Sequence, residues 1–258
     1  MQVTGTVAQT WLYPAKGMHG IRMQTRGIMA HTRLGVQGDR NFAAFRRPGG
    51  APEEWRPKGQ FFVCMNREGM ATDHELTETD VDKDYRLNPE IVMKAMKDHG
   101  LPADEMSFLD TNGKRHNADS NKPYVSILNH ASVQDLAQWS GREIDPRRFR
   151  MNIIVDDLPP WIELEHVTVF GQGNTLPMWI HGVEIYADDL CERCKAIEQS
   201  PSSGTWDIEL LDLLDRRLQA LGYQGSPHRG TRKVMGWLTI PQNNGLIREG
   251  HQLSFRIN

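Results

Sequence analysis

Cysteine is scarce in this chain, with three thiols in 258 residues. Three thiols cannot build a disulfide framework, so the expected compartment is a reducing cytoplasm. Nor can they hold an iron–sulfur cluster that needs four thiolates. Long apolar runs are missing too. No stretch approaches the ~20 residues that a membrane span requires. The start, Met1-Gln2-Val3-Thr4-Gly5-Thr6, lacks the basic region and apolar segment of a signal peptide. An excess of positive charge is also absent. The net charge of −3 and sequence pI of about 6.4 argue against nucleic acid or an anionic membrane as partner. The chain has no internal repeat and no low-complexity segment. What remains is the composition of a soluble globular protein, long enough for one large β-rich domain or two smaller ones.

Runs rich in β-branched and aromatic residues predict strands over 3–13, 21–29, 61–65, 124–128, 153–155, 161–171, 175–187, 234–240 and 252–257. Helical signals are fewer. Asn88 before Pro89 opens a short helix closed by Gly100. Ser132 with Asp135 three residues on resembles a capping box, and Gly141 ends that helix. Ile208, Leu211, Leu214, Leu218 and Leu221 mark a third helix, begun by Thr205 and stopped by Gly222. Residues 72–85 carry many acids and read as an exposed connection, and Cys64 reads as a core thiol in an apolar strand. With about ten strands and three helices that do not alternate, the expected fold is β-rich α+β: a mixed β-barrel with inserted helices. A polar shift near residue 105 suggests a boundary between residues 1–105, a β-barrel-type subdomain, and residues 106–258.

Three stretches carry chemistry. Cys191-Glu192-Arg193-Cys194 sets a guanidinium between two thiols, and an adjacent cation favours the thiolate. It fits half of a structural zinc site, a dithiol redox pair, two inert buried thiols or a metal or cofactor thiolate. Asp145 to Asn152, with Arg147, Arg148 and Arg150, is a basic cluster at a strand entrance. It suits an anionic ligand or a surface patch. Lys16-Gly17 in a Pro/Gly loop can approach an oxyanion or be an ordinary solvated lysine. Asp39-Arg40 after two glycines reads most plainly as a β-turn with a surface ion pair.

Together, in order, these motifs resemble the MOSC domain, found at the C-terminus of molybdenum cofactor sulfurases. Arg148-Phe149-Arg150-Met151-Asn152 resembles the family's Arg-Phe-Arg-Pro-Asn, and the Cys-x-Arg-Cys motif follows it. Gly245-Leu246-Ile247-Arg248-Glu249-Gly250-His251 lies near the C-terminus. Tyr13-Pro14-Ala15-Lys16-Gly17 and the Gly35 to Arg40 stretch resemble motifs of the β-barrel domain that often precedes MOSC. Asn129-His130-Ala131-Ser132 resembles its helix start. Relatives with this layout include the amidoxime-reducing component, which reduces N-hydroxylated compounds.

The resemblance implies a molybdenum cofactor, a pterin dithiolene (molybdopterin) with a terminal phosphate. Carried over, Cys194 ligates molybdenum and Arg193 neutralises charge beside it. Lys16, Arg40 and Arg150 pair with phosphate and pterin, with Gly17 contributing backbone. Asn152 hydrogen-bonds the pterin edge, and Ser132 and Cys191 support the site. The implied partners are a small-molecule substrate and a separate electron-donor protein. At the family level the resemblance also brings pyridoxal phosphate binding and a sulfur-carrier role. Two other activities stay open: metal-free sulfur transfer or C–S cleavage through a Cys194 persulfide or thiolate, and cofactor carriage without turnover. Gly17 replaces a family serine, Met151 a family proline, and residues 196–204 depart from the family's Thr-Val-Asp-Pro-x-Thr-Gly.

Overall fold

The computed structural model describes residues 1–17, 19–45, 76–98, 107–114, 116–165, 175–225 and 232–257. The strands among them are β1 (Gln2–Leu12), β2 (Ile21–Arg22), β3 (Ile28–His31), β4 (Gly35–Val36), β5 (Phe42–Phe45), β6 (Ser107–Asp110), β7 (Val125–Asn129), β8 (Ile153–Asp156), β9 (Leu176–Ile180), β10 (Val183–Glu192), β11 (Val234–Pro241), β12 (Gly245–Ile247) and β13 (Gln252–Arg256). The helices are α1 (Pro89–Asp98), α2 (His130–Ser140) and α3 (Leu210–Ala220).

Seven strands close a mixed barrel in the order β13-β9-β10-β11-β7-β8-β1, because β1 pairs back onto β13. Closure removes the exposed strand edges that an open sheet would present. Period-2 patterning drives it: along β1, Val3, Gly5 and Val7 point inward while Gln2 and Thr4 face out. The interior is filled by large side chains, with Trp237, Phe149, Phe255 and Ile127 fully buried. Each contributes roughly 1.5–3 kcal/mol of apolar burial. The barrel takes β1 from before residue 105 and its other six strands from beyond it.

Among the described strands the only parallel pair in the barrel is β7–β8, joined by α2 as a crossover. Asn129 ends β7 and caps α2, its side chain accepting from the Ala131 N–H at 3.1 Å. The predicted helix start at Ser132 is therefore corrected by one turn. Asn is as good an N-cap as Ser, and here the last strand residue already has the extended backbone that a cap needs. Gly141 closes α2 in the left-handed region, as predicted.

Other expectations shift. The predicted strand over 21–29 is two short strands, β2 and β3, separated by a turn at Gln24–Thr25–Arg26. Within the predicted strand over 161–171, Ile162–Leu164 is a 3-10 turn behind Pro159-Pro160, and Trp161 lies at φ +62°. The rest of that segment, Cys64 and the strand at 61–65 lie outside the described residues. The third helix starts at Leu210, five residues later than predicted, because Trp206 first makes a β-bridge with Gln199.

Candidate functional site

The site is organised by Asp39. Gly38, at φ +81°, turns the chain just ahead of it, and a Cβ there would lie 1.8 Å from the Tyr85 carbonyl oxygen. This tight turn buries Asp39, which is 5% exposed, so the expected surface ion pair is corrected to a largely buried one. Asp39 Oδ1 accepts from the Tyr13 N–H at 2.8 Å and from Asn152 Nδ2 at 3.2 Å, while Oδ2 pairs with Arg40. Arg40, at φ +50°, donates its own N–H to the Tyr13 carbonyl at 2.6 Å.

Tyr13, at the end of β1, is the second organiser. Its ring lies beneath two guanidiniums, Arg150 Cζ at 4.7 Å and Arg40 Cζ at 5.3 Å from its centroid. The electron-rich ring face attracts both cations. Burial pushes the Tyr13 phenol up to about 12, although Arg150, Arg40 and Arg193 pull it down. Tyr13 is therefore a neutral spacer near pH 7. Burial also lowers Arg150 to about 10, with Arg40 and Arg193 adding like-charge pressure against Tyr13 and Asp39. For Arg40 burial acts downward, but Asp39 and Tyr13 more than reverse it and hold the group above its usual range. Of the two arginines on the Tyr13 ring, burial thus wins at Arg150 and Asp39 wins at Arg40.

Arg193 joins the group from the end of β10. It donates to the Phe149 carbonyl, lies 5.5 Å from the Phe149 ring centroid and reaches Cys191 Sγ at 2.7 Å and Met151 Sδ at 3.4 Å. Its Nε is buried without an acceptor. The chain stays in ladder geometry through Arg193, whose N–H donates to Lys233 O at 2.7 Å, and Cys194 remains extended at φ −114°, ψ 173°. Three residues of extended chain span about 10 Å. A disulfide needs Cα atoms within about 7 Å, so this geometry does not suit Cys191 and Cys194 as a dithiol pair. Alternation instead sets Cys191 on the Arg193 face and leaves Cys194 exposed, opening the 3-10 turn Lys195–Glu198. Among the described residues no group of three or more His, Cys, Asp or Glu side chains could hold a metal ion.

The other expected site residues separate. Lys16 is 7% exposed, not a solvated lysine, and its ammonium donates to Asp119 Oδ1 at 2.6 Å and Asn117 O at 2.8 Å. Gly17 follows at φ +78°. Asn152 lies inside the site, but its amide is fully employed. Oδ1 accepts from the Ser126 N–H and hydroxyl, and Nδ2 donates to Trp11 O and Asp39. It therefore positions Asp39 and β1, and has no hydrogen bond left for a pterin edge. Ser132 belongs to a different cluster. Its hydroxyl donates to Glu163 Oε2 at 3.0 Å and accepts from the Trp161 N–H at 2.8 Å. Asn129 Nδ2 donates to the same carboxyl oxygen at 3.1 Å, and Asn129, Ser132 and Glu163 are all 0% exposed. Burial raises the Glu163 carboxyl above its usual range, while donors from Asn129, Ser132 and the Gly236 backbone oppose that rise.

Sequence reasoning passed over Tyr13 and Asp39 as site members, although both stand inside motifs it singled out. The signal lay in their neighbours: each immediately precedes a residue that constrains the backbone, Pro14 or the left-handed Arg40.

The family model described as MOSC domain matches residues 112–254. A Caenorhabditis elegans protein described as molybdenum cofactor sulfurase is 33% identical over 100 residues, which is 36% of this chain and 13% of that relative. The chain thus matches only a small part of that relative's length. Among solved structures, the YuaD protein of Bacillus subtilis aligns with a TM-score of 0.41 at 9% identity, covering 99% of this chain and 97% of that one. YiiM of Geobacillus stearothermophilus aligns with a TM-score of 0.34 at 13% identity, covering 52% and 54%. Neither likeness adds to the barrel read from strand pairing. No helix among the described residues is long and apolar enough to cross a membrane.

Proposed function

Because the chain belongs to the MOSC domain family, we propose that it binds a molybdenum cofactor and reduces N-hydroxylated or N-/S-oxide small molecules, with electrons from a separate donor protein. The observation that carries this reading is Arg40 and Arg150 on the Tyr13 ring with Arg193 over neighbouring Phe149, and a thiol in contact with Arg193. The residues fit an anionic, sulfur-bearing cofactor. Burial works against charged Arg150, Arg193 Nε is buried without an acceptor, and two thiols flank that guanidinium in sequence. When bound, the cofactor supplies a metal centre that exchanges two electrons and one oxygen atom with a substrate.

The chain's own residues do the rest. Cys194, exposed at the strand end, is the soft thiolate suited to a high-valent metal. Arg193 offsets thiolate charge and orients Cys191. Arg150 and Arg40, both against the Tyr13 ring, offer planar donors to phosphate or pterin oxygens. Asp39 and Asn152 lock β1 to the arginine turn. Residues 1–105 contribute Tyr13, Asp39 and Arg40, and residues 106–258 contribute the arginine turn and the thiols.

The test is molybdenum and pterin content of protein from a cofactor-competent host. Near one molybdenum per chain is expected, with loss in Cys194→Ser. No molybdenum in the wild type contradicts the proposal. The Arg193–Cys191 contact also favours a second reading, sulfur transfer through a cysteine persulfide. Mass spectrometry of the intact chain separates the two: a persulfide adds one sulfur mass to a cysteine without bound pterin.

A further inference from the structure

A cavity of about 430 Å³ lies against Trp11 and Arg147, two residues that also wall the smaller cavity at the Tyr13 ring. Its size is within the ~300–1,000 Å³ of small-molecule sites. A bulge in β1 supplies one side of it. The register of β1 against β8 shifts between Val7 and Gln9, which inserts one extra residue. Up to Val7 the odd positions are buried. Beyond it Thr10 and Leu12 are buried, and Gln9 and Trp11 turn to the outer face. Without the extra residue, strict alternation would send Trp11 into the barrel. Gln9 Oε1 accepts from Trp11 Nε1 at 2.9 Å and holds the indole in place. Arg22, the cross-strand partner of Trp11 on β2, is locked to Glu249 by bonds from Nε at 3.0 Å and Nη2 at 3.1 Å.

Charge around this cavity runs opposite to that at the Tyr13 ring. Both guanidiniums of the lining are engaged, Arg22 with Glu249 and Arg147 with Asp145. Glu143, in the connection after α2, also lines the cavity; it is exposed and has no ion-pair partner among the described residues. Three carboxylates thus stand against two guanidiniums, and Glu143 is the one left over. We infer that this cavity holds the organic body of the substrate and selects flat aromatic compounds that carry a positive charge. Trp11 offers an aromatic surface to a flat ring or a cation. Glu143 offers the uncancelled charge, and an anionic compound meets it with both guanidiniums of this wall already taken. What happens to a bound compound rests on the reductase activity proposed above, whereas which compound binds follows from the lining alone.

Three probes of one shape and different charge separate charge from shape: benzamidinium, benzamide and benzoate. Each is titrated into the full chain from a cofactor-competent host and followed at the tryptophan indole N–H resonances, that of Trp11 being assigned by its loss in Trp11→Phe. Benzamidinium is expected to shift the Trp11 resonance with an affinity about fivefold above benzamide, as suits an exposed charge, with benzoate weakest. Added salt is expected to shrink the preference. Glu143→Gln is expected to bring benzamidinium and benzamide within about twofold of each other, and Glu143→Lys to favour benzoate, an inversion that misfolding cannot produce. Equal binding of the three probes to wild type, or an unchanged preference in Glu143→Lys, overturns the inference. So does loss of pterin in Glu143→Gln, because the cavity then belongs to the cofactor. A wild type that never acquires molybdenum yet keeps the charge preference rejects the reductase activity and leaves the cavity standing as a site for aromatic cations.

Discussion

Two buried polar clusters grow from two neighbouring sequence motifs, and they are built on opposite principles. Around Tyr13, two arginines share one ring with a third, Arg193, over neighbouring Phe149; burial works against Arg150, and donor atoms on Arg148 and Arg193 lack acceptors. Around Glu163, the groups are enclosed and the donors of Asn129, Ser132 and Trp161 meet acceptors, while Glu163 Oε1 alone is buried without a partner. The first cluster gathers cations and adjoins a cavity. The second is closed and joins the start of α2 to the Trp161 turn. Several guanidiniums buried close together mark a candidate anion site. A network whose donors are met, around a carboxyl that burial pushes toward its neutral form, marks a structural joint.

That contrast can be broken most forcefully at Asp39. Asp39→Ala leaves Arg40 partly buried without its partner and strips acceptors from Tyr13 and Asn152. A loss of about 3–5 kcal/mol is expected in denaturant unfolding, together with loss of anion binding. Next comes Ser132→Ala, which orphans the Trp161 N–H and removes a donor from Glu163. It should cost about 1–3 kcal/mol yet leave pterin content unchanged. A smaller effect is expected from Lys16→Gln. Asp119 in that pair is exposed, and exposed pairs contribute roughly 0–1 kcal/mol.

Glu163 sharpens the comparison through pH. Its folded pKa is raised above the unfolded value, so the folded state holds this proton more tightly. Its contribution is fully present below the unfolded carboxylate range and is lost as pH rises through the folded pKa. Wild type should therefore gain stability relative to Glu163→Gln as pH falls from 8 toward 5, seen as a widening Tm difference. A Tm difference independent of pH contradicts the burial of this carboxyl.

Much of the barrel was legible in the sequence because alternation and turn residues are local signals. β1, β7, β8, β11 and β13 all appear where apolar alternation or short apolar runs predicted strands. What escaped depended on distant partners. Asn129 capping α2 needed knowledge of where β7 stops, and the Ile162–Leu164 turn reflects Pro159-Pro160 and packing against Ser132. In the candidate site, the arginine turn and Cys191–Cys194 were legible as motifs. Ser132 lies with Glu163 and Trp161, a placement that order along the chain does not encode. Asn152 belongs to the site, but its amide is spent on β1 and Asp39, a fact that no spacing encodes.

The central claim is that the Tyr13 cluster binds the cofactor and the Glu163 cluster holds the fold. Pterin and molybdenum content of Arg150→Gln and Ser132→Ala, each beside wild type from one cofactor-competent host, tests it most directly. The account predicts near-complete loss in Arg150→Gln with an unchanged Tm, and wild-type content in Ser132→Ala despite a lowered Tm. Full occupancy in Arg150→Gln, with loss confined to Ser132→Ala, contradicts it.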